Sequence, residues 1–324
     1  MRSPKKVVVI GGGHGQAAIC RGIKNIPDID ISAIVTVADD GGSTGRLRRQ
    51  FHIPAMGDIR NVMVSLAESE TLLSNLMNYR FDDPDATEQD IAGHNLGNLI
   101  LTAMTQQCGS FFEAIQQVGE VLNVKGAIIP ATTQVISLYA MMQDDVIVKG
   151  EANIPDRANR IRRVFYREDV SATPEAVQVI QEADLIIYGI GSVFTSILPN
   201  IIIPDIQEAL DHTKAKRIYF CNAMTQPGET DGYTMEDHVQ ALFNHGAPVD
   251  AVLYCKDEIP EFLCQKYAAA GSTRVAMQEK DHVYEVIQES LLSFDQNAIR
   301  HDPTKIEMAV SKIVEGLPCH SPQK

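Results

Sequence analysis

The amino-acid sequence predicts an α/β protein in which helices flank a parallel sheet and a helical segment is inserted between strands. Two observations lead to this prediction: short β-branched runs alternate with segments of helical periodicity, and one long stretch shows helical periodicity alone. The first run, Lys6–Ile10, precedes a glycine turn and a helical pattern over 16–24. Ile31–Val37 gives the next strand, so these segments predict a βαβ unit.

The periodicity changes at residue 58 and changes back after residue 123. Apolar residues within 58–123 recur at helical spacing, as at Ile59, Val62, Met63 and Leu66. We therefore expect a helical insertion at 58–123 in a core formed by 1–57 and 124–324. Later strands are expected near 125–130, 146–151, 184–188, 217–221 and 251–255, and helices over 206–212, 235–245, 261–270 and 304–315.

The composition indicates a folded, acidic protein. Of the 324 residues, 44% are hydrophobic and 22% are charged, which excludes a wholly disordered chain. Lys and Arg number 28 against 42 Asp and Glu, and this net charge of −14 disfavours nucleic acid or an anionic membrane as the main partner. The uncharged stretch Leu185–Pro204 contains too many glycine, hydroxyl and amide residues for a membrane span.

The cysteines favour a cytoplasmic location. They stand at positions 20, 108, 221, 255, 264 and 319, and they form no C-x-x-C pair. This spacing gives no sign of a zinc site or a redox pair, so reduced thiols are expected.

A glycine-rich turn follows the first predicted strand. Its residues are Gly11, Gly12, Gly13, His14 and Gly15. Backbone N–H groups at a helix start bind phosphate and other anions, so the turn is a candidate nucleotide-binding loop. The spacing departs from G-x-G-x-x-G, because Gln16 stands where the third glycine is expected. A tight turn that serves only packing is the alternative.

Two acidic residues, glycines and arginines follow the second predicted strand, at the edge where open α/β sheets bind ligands. The candidates for ligand contact there are Asp39, Asp40, Gly41, Ser43 and Arg46. The adjacent carboxylates Asp39 and Asp40 predict a Mg²⁺ site. Arg46 and Arg48 are then expected to face an anion. Alternatively, Ser43 or Thr44 caps a helix and the arginines lie in solvent.

Two polar motifs bracket the predicted insertion. Gly57–Asn61 contains Asp58, and His94–Asn98 contains the site candidates Asn95 and Asn98. Helix capping by Asp58 and Asn95 competes with ligand binding as the role of these side chains.

Glycines, hydroxyls and amides also follow two later strands. The candidates in these loops are Gly189, Gly191, Ser192, Thr195, Ser196, Asn222, Thr225, Gln226, Thr230 and Asp231. Four strand ends with the same chemistry predict one cleft that binds phosphates and sugar hydroxyls. The basic run Arg157–Arg167 is interpreted as a solvated face. The sequence contains no H-E-x-x-H or Walker A motif, so a zinc hydrolase is not expected.

Together, these motifs resemble the CofD-like family, in its YvcK-like branch. The resemblance covers nearly the whole chain and rests on Gly11–Gly15, Val37–Arg48, Gly57–Asn61, His94–Asn98, Gly150–Ile154, Gly189–Asn200, Cys221–Tyr233 and Arg300–Asp302 with Lys305. It implies a Rossmann-like domain with a helical insertion. The founding branch is the Mg²⁺-dependent 2-phospho-L-lactate transferase, whereas the YvcK-like branch is associated with UDP-sugar binding, cell shape and growth on gluconeogenic carbon sources. His14 departs from the threonine usual in that branch.

The resemblance leaves two main hypotheses. The first is a regulatory protein that binds a UDP-sugar such as UDP-GlcNAc. The second is a transferase that uses Mg²⁺ on Asp39 and Asp40. A nicotinamide dehydrogenase is a weaker third reading, because the dinucleotide fingerprint is incomplete. Under the first hypothesis Tyr267 is the candidate that stacks on the base and Arg300 the candidate that contacts phosphate. A core position for Tyr267 and a surface ion pair for Arg300 are the alternatives. The sequence leaves the oligomeric state and any protein partners open.

Overall fold

A computed structural model describes residues 3–68, 72–82, 91–156, 159–295 and 298–318. Its strands are β1 (Lys5–Gly11), β2 (Ile29–Val35), β3 (Ala127–Pro130), β4 (Tyr139–Met142), β5 (Ile147–Lys149), β6 (Ile161–Phe165), β7 (Leu185–Tyr188), β8 (Lys216–Phe220), β9 (Ala251–Cys255), β10 (Glu285–Glu289), β11 (Leu292–Phe294) and β12 (Ile299–His301). Seven of them form a sheet in the order β10-β9-β8-β7-β1-β2-β3, and every pairing in it is parallel. The predicted fold class is confirmed.

Helices connect and cover these strands. They are α1 (Gly13–Ile23), α2 (Gly42–Phe51), α3 (Gly57–Leu66), α4 (Leu72–Asn78), α5 (Leu96–Cys108), α6 (Phe111–Val121), α7 (Pro174–Glu182), α8 (Leu198–Ile201), α9 (Pro204–His212), α10 (Met235–Asn244), α11 (Glu261–Ala269) and α12 (Pro303–Glu315). A 3₁₀ turn (Glu151–Asn153) and a π-helical turn (Val193–Ile197) complete the regular structure. None of the helices in the described ranges is both long and apolar enough to cross a membrane.

The core lies between the sheet and two groups of helices. Val7 to Ile10 in β1 and the whole of β9 are buried, as expected for central parallel strands whose two faces are both covered. Helices α1, α3 and α12 pack together, while α7 packs on α9 and contacts β1 and β3. The side chain of Gln16 bridges two strands, because its amide donates to the carbonyls of Val9 and Ile34 at 2.9 Å each.

Within the described residues, the regular structure between β2 and β3 consists of helices α2 to α6, apart from single β-bridges. Helix α3 nevertheless packs directly on α1 and against β2 and β3. The first helix of the predicted insertion therefore belongs to the layer that covers the sheet. The boundaries of the insertion at 58 and 123 remain a prediction.

Two small sheets differ from the sequence prediction. β5, which falls within the strand expected at 146–151, pairs antiparallel with β4, and β4 pairs antiparallel with β6, so β5 lies outside the main sheet. β11 and β12 form an antiparallel pair near the C-terminus. The arginines of the basic run that the structure describes are exposed, as expected, although β6 runs through them. Arg157 and Cys319 lie outside the described residues.

Candidate functional site

The carboxyl ends of β1 and β7 meet at the point where the strand order reverses. β2 continues the sheet on one side of this pair and β8 on the other, and such switch points are where open α/β sheets bind ligands. The loops after the two strands are in close contact, since a Cβ on Gly15 would lie only 1.9 Å from the carbonyl oxygen of Ile190. Asn200 joins them further by donating to the carbonyl of Gly11 at 3.0 Å. Two of the predicted loops therefore form one structural unit.

The first glycine loop opens α1 without a capping side chain. Gly12 is the N-cap residue in an extended conformation, and Gly13 has a φ of +62°. His14 is exposed on the first turn. The N–H group of Gly13 donates to the carboxylate of Asp58, at the start of α3. The helix start predicted to bind phosphate is therefore already in contact with an acidic side chain of the protein.

The carboxyl of Asp58 keeps its proton more readily than an ordinary aspartic acid. Burial raises its pKa to about 7, and the nearby charge of Asp39 adds to the rise, while the hydrogen bond from Gly13 opposes it. The sequence suggested Asp58 as an N-cap, but the N-cap of α3 is Met56 and makes no side-chain cap. Asp58 lies inside the first turn, from which its side chain reaches the β1 loop.

Backbone N–H groups and one hydroxyl hold the acidic pair after β2. Asp39 accepts hydrogen bonds from the N–H of Gly41 at 2.9 Å and from the hydroxyl of Thr44. Asp40 accepts from the N–H of Ala152 at 3.0 Å, which brings the turn Glu151–Asn153 to the site. Burial raises the pKa of Asp39, and the neighbouring charge of Asp40 adds to the rise.

Glu151 is a further acid at this place, and the sequence analysis did not identify it. Burial raises its pKa to about 8, and four other carboxyls add to the rise, namely Asp39, Asp40, Asp58 and Glu229. Acidic groups from several strand ends therefore share one electrostatic environment. Their hard oxygens are of the type that Mg²⁺ prefers, although no set of three metal-ligating side chains converges within the described ranges.

The start of α2 settles the capping alternative for Ser43 and Thr44. The N-cap is Gly41, so both residues lie inside the first turn and neither caps the helix. The Oγ atom of Ser43 lies 2.9 Å from Nδ1 of His94, and the amide of Asn98 donates to it at 3.4 Å. Ser43 is thus joined to the His94–Asn98 motif.

The arginines of α2 and the remaining residue of that motif contact backbone groups. Arg46 donates to the carbonyl of Ala92 at 2.7 Å. Arg48 is buried and donates to the carbonyls of Ala38 and Asp39, at 3.2 and 2.7 Å. Carbonyl oxygens therefore bind the guanidinium of Arg48, and contact of Arg46 or Arg48 with a ligand anion stays a prediction. Asn95 is the N-cap of α5 and accepts from the N–H of Gly97 at 3.0 Å, as the capping alternative predicted.

The loop after β7 begins with Gly189 and Gly191 and opens the π-helical turn. Ser192 is the N-cap, and its Oγ atom accepts from the N–H of Thr195 at 3.0 Å. The hydroxyl groups of Ser192 and Thr195 both donate to the buried carboxylate of Glu229, and the Thr195 hydrogen bond measures 3.2 Å. Ser196 is half-buried on the same turn, with its Cβ 3.6 Å from the position of a Cβ on Gly191.

The loop after β8 contributes the amide of Asn222 and the carboxylate of Glu229 to the site, and most of its other candidates bind backbone N–H groups. Asn222 donates to the carbonyl of Gly191 at 2.9 Å and lies 3.5 Å from the side-chain oxygen of Gln226. Three other candidates bind loop groups: Thr225 accepts from the N–H of Thr273 at 2.8 Å, Thr230 from Gln226 at 2.9 Å and the exposed Asp231 from Gly228 at 2.7 Å. The sequence analysis did not predict Glu229 as a site residue, because a glutamate after a Pro-Gly turn is usually solvated.

Tyr267 and Arg300 lie in the C-terminal part of the chain. The half-buried Tyr267 accepts a hydrogen bond from the N–H of Ile299 at 3.2 Å, which joins α11 to β12. The side chain of Arg300 is 71% exposed and pairs with Asp295 at 3.4 Å. Their roles in ligand binding remain predictions.

A separate cavity of about 790 Å³ opens at the opposite edge of the sheet. It is lined by charged residues that pair with each other, including Arg217 with Asp250 at 2.8 Å and Lys216 with Glu285 at 2.7 Å. It lies at the amino ends of the strands, whereas ligands of open α/β sheets bind at the carboxyl ends. The switch point therefore remains the candidate site.

Comparison with known proteins gives the family. The family model described as 2-phospho-L-lactate transferase CofD matches residues 7–292. The chain belongs to the CofD family. A gluconeogenesis factor of Bacillus subtilis is 44% identical over 312 residues, which cover 94% of this chain and 97% of that protein. A gluconeogenesis factor of Halalkalibacterium halodurans is 42% identical over 320 residues, with 97% of each chain covered.

A solved structure agrees with this assignment. The crystal structure of a UPF0052-family protein from Bacillus halodurans matches with a TM-score of 0.89 at 41% identity, over 94% of this chain and 99% of that one. Within the CofD family, this chain is thus similar along nearly its whole length to the gluconeogenesis factors.

Proposed function

We propose that this chain is a cytoplasmic regulatory protein of the gluconeogenesis-factor type, whose ligand is a UDP-sugar such as UDP-GlcNAc. Under this proposal, ligand binding links nucleotide-sugar supply to cell shape and to growth on gluconeogenic carbon sources. The named relatives in Bacillus subtilis and Halalkalibacterium halodurans support the regulatory part. The YvcK-like motifs support the choice of ligand.

The observation that carries the proposal is the paired loop at the switch point. Glycine-rich loops follow both β1 and β7, and the two loops are in backbone contact through Gly15 and Ile190. A crevice of this kind suits an extended ligand with a diphosphate, which backbone amides at helix starts can hold. Because the net charge of −14 gives no general attraction for an anion, the affinity must come from these local groups.

Isothermal titration calorimetry tests the proposal. The purified protein is titrated with UDP-GlcNAc, NAD and GTP, each with and without Mg²⁺. Saturable binding of UDP-GlcNAc in preference to NAD and GTP is expected. Binding of NAD or GTP alone, or no binding of any of the three, would overturn the proposal.

The acidic groups at the site favour a second candidate, a Mg²⁺-dependent transferase of the 2-phospho-L-lactate transferase type. A bound divalent cation would counter the rise in the pKa values of Asp39 and Glu151, and Asp39 and Asp40 are the candidate ligands. Cleavage of UDP-GlcNAc in the presence of Mg²⁺ can be followed by phosphorus NMR. Asp40→Asn keeps the size and removes the charge, so it should abolish turnover if the enzyme hypothesis holds, and leave metal-free ligand binding intact if the sensor hypothesis holds.

A further inference from the structure

Glu229 is a buried acid whose carboxylate accepts hydrogen bonds from two hydroxyl groups. Glu229 lies in the loop after β8 and is only 6% exposed. One carboxylate oxygen accepts from the hydroxyl of Ser192 and the other from the hydroxyl of Thr195. Both partners belong to the loop after β7, so Glu229 connects two strand ends of the site.

These hydrogen bonds determine what Ser192 and Thr195 can offer a ligand. A hydroxyl group has one hydrogen to donate and two lone pairs to accept with. Both hydroxyls give their hydrogen to Glu229, and the Oγ atom of Ser192 also accepts from the N–H of Thr195. Both oxygens can therefore only accept further hydrogen bonds. They suit a ligand group that donates a hydrogen bond and disfavour a phosphate, whose oxygens also accept.

Asn222 adds another acceptor beside the same loop. Its residue is 7% exposed, and its amide nitrogen donates to the carbonyl of Gly191, next to Ser192. The side-chain oxygen is buried, and no described group donates to it. A buried acceptor without a donor costs free energy, which a ligand hydroxyl in this place would recover.

We propose that Glu229, Ser192, Thr195 and Asn222 form an acceptor subsite that binds neighbouring hydroxyl groups of the ligand, while backbone amides elsewhere in the crevice hold its phosphates. The inference rests on the proposed function and adds the orientation of the ligand. A nucleotide sugar carries such hydroxyls on its ribose and on its sugar. The ribose and the sugar each offer the same chemistry to the subsite, namely neighbouring hydroxyl groups that donate hydrogen bonds.

Glu229 must be ionised to accept hydrogen bonds from both hydroxyls and so keep the subsite an acceptor. Burial raises the pKa of Glu229 to about 7, against the hydrogen bonds from Ser192 and Thr195. The charge of Glu229 also acts on Glu151, whose pKa it raises. The subsite is therefore best examined at pH 8.5, where most Glu229 side chains carry the charge.

The experiment compares Glu229→Gln with the wild type at pH 8.5 by calorimetry, with UDP-GlcNAc and inorganic pyrophosphate as probes. Glutamine replaces one carboxylate oxygen by an NH₂ donor, so one of the two hydroxyls, that of Ser192 or that of Thr195, becomes free to point its hydrogen at an anion. The variant should bind UDP-GlcNAc at least tenfold more weakly and pyrophosphate as well as or better than the wild type. Glu113→Gln, on the exposed face of α6, removes the same charge and should change neither affinity.

The outcomes separate the possibilities. Equal weakening of both probes, or unchanged affinity for UDP-GlcNAc, would overturn the acceptor subsite while leaving the proposed function in place. Absence of UDP-GlcNAc binding in the wild type would overturn the proposed function itself. If Glu229→Gln does not fold by thermal melt, Ser192→Ala takes its place, because it removes one acceptor and should give the same selective loss.

A third probe distinguishes the two sources of hydroxyls. UDP and 2′-deoxy-UDP differ only in one ribose hydroxyl. If the subsite binds the ribose, Glu229→Gln should weaken UDP at least tenfold and 2′-deoxy-UDP much less. If it binds the sugar, the variant should weaken UDP-GlcNAc and leave both UDP and 2′-deoxy-UDP unchanged. Equal weakening of UDP and 2′-deoxy-UDP would contradict the subsite.

Discussion

The backbone of Gly12 lies against the carboxylate of Asp58, and a Cβ on Gly12 would stand 2.5 Å from Oδ2 of that side chain. The same Cβ would lie 2.6 Å from Cγ2 of Thr36. Glycine at this position therefore makes room for two side chains of the protein. The sequence had left open both a ligand-binding loop and a tight turn that serves only packing.

Substitution of Gly12 is expected to lower stability as well as ligand affinity. Gly12→Ala should reduce the free energy of unfolding by about 1–3 kcal/mol, because a close-packed site must shift to admit a methyl group. Denaturant unfolding measures this difference. Gly119→Ala in α6 is the matched control, since its Cβ would meet its nearest neighbour only at 3.9 Å, and it should be neutral or slightly stabilising. Equal stability of the two variants would refute the packing argument.

Glu151 is expected to make stability depend on pH. Its folded pKa of about 8 lies above the ordinary value of 4.5, so the folded state holds the proton more tightly than the unfolded state. Its contribution is fully present below about pH 4 and is lost as the pH rises towards and through 8. Glu151→Gln should therefore gain thermal stability relative to wild type between pH 5 and 9. Melting curves across that range check this, and a difference that stays constant with pH would count against it.

Asp257, just after β9, is expected to stabilise the C-terminal part of the fold. It accepts from Ser290 at 2.5 Å and from the N–H groups of Leu291 and Leu292 at 2.6 and 3.0 Å, and it pairs with Lys305 at 3.3 Å. Burial acts to raise its pKa, yet the hydrogen bonds from Ser290, Leu291 and Leu292 outweigh it and hold the pKa well below the usual value.

Asp257→Ala should lower the free energy of unfolding by about 1–3 kcal/mol at pH 7, since buried donors lose their partner. The carboxylate contributes above about pH 4, and this contribution is lost as the pH falls through its lowered folded pKa. Urea unfolding at pH 7 and at pH 3 measures both effects. Asp145→Asn, which alters an exposed pair with Arg162, is the control and should change stability little. If Asp257→Ala lowers the free energy of unfolding as little as the control does, Asp257 does not stabilise the C-terminal part of the fold.

Substitutions of Tyr267 and Arg300 test whether these residues contact the ligand. Arg300→Ala removes only an exposed pair with Asp295, so the melting temperature should stay near that of wild type. If Arg300 contacts the ligand phosphate, affinity for UDP-GlcNAc should fall and its salt dependence should weaken. Tyr267→Ala should lower affinity by about 1–3 kcal/mol if the ring stacks on the base. Calorimetry on folded variants decides, and wild-type affinity in both removes these residues from the site.

Most of the parallel strands were predictable because they are buried β-branched runs, such as Val7 to Ile10. The parallel strand β10 was not predicted, because its sequence is Glu-Val-Ile-Gln-Glu and it is only partly buried. The small antiparallel sheet was not, because β6 begins Ile-Arg-Arg, which breaks the strict alternation of a half-buried strand. In the site, the loops at the carboxyl edge follow from the strand pattern. The roles of Asp58 and Glu229 do not, since each reaches a partner far away in sequence: Gly13 for Asp58 and Ser192 for Glu229.

Hydrogen–deuterium exchange tests the central claim, that a nucleotide sugar binds at the switch point. The exchange of backbone amides is measured by mass spectrometry with and without saturating UDP-GlcNAc. The account predicts slower exchange in the segments after β1, β2, β7 and β8, over 11–16, 40–46, 189–197 and 221–230. Protection confined to the amino edge of the sheet around Lys216 and Lys312, or no change anywhere, would contradict it.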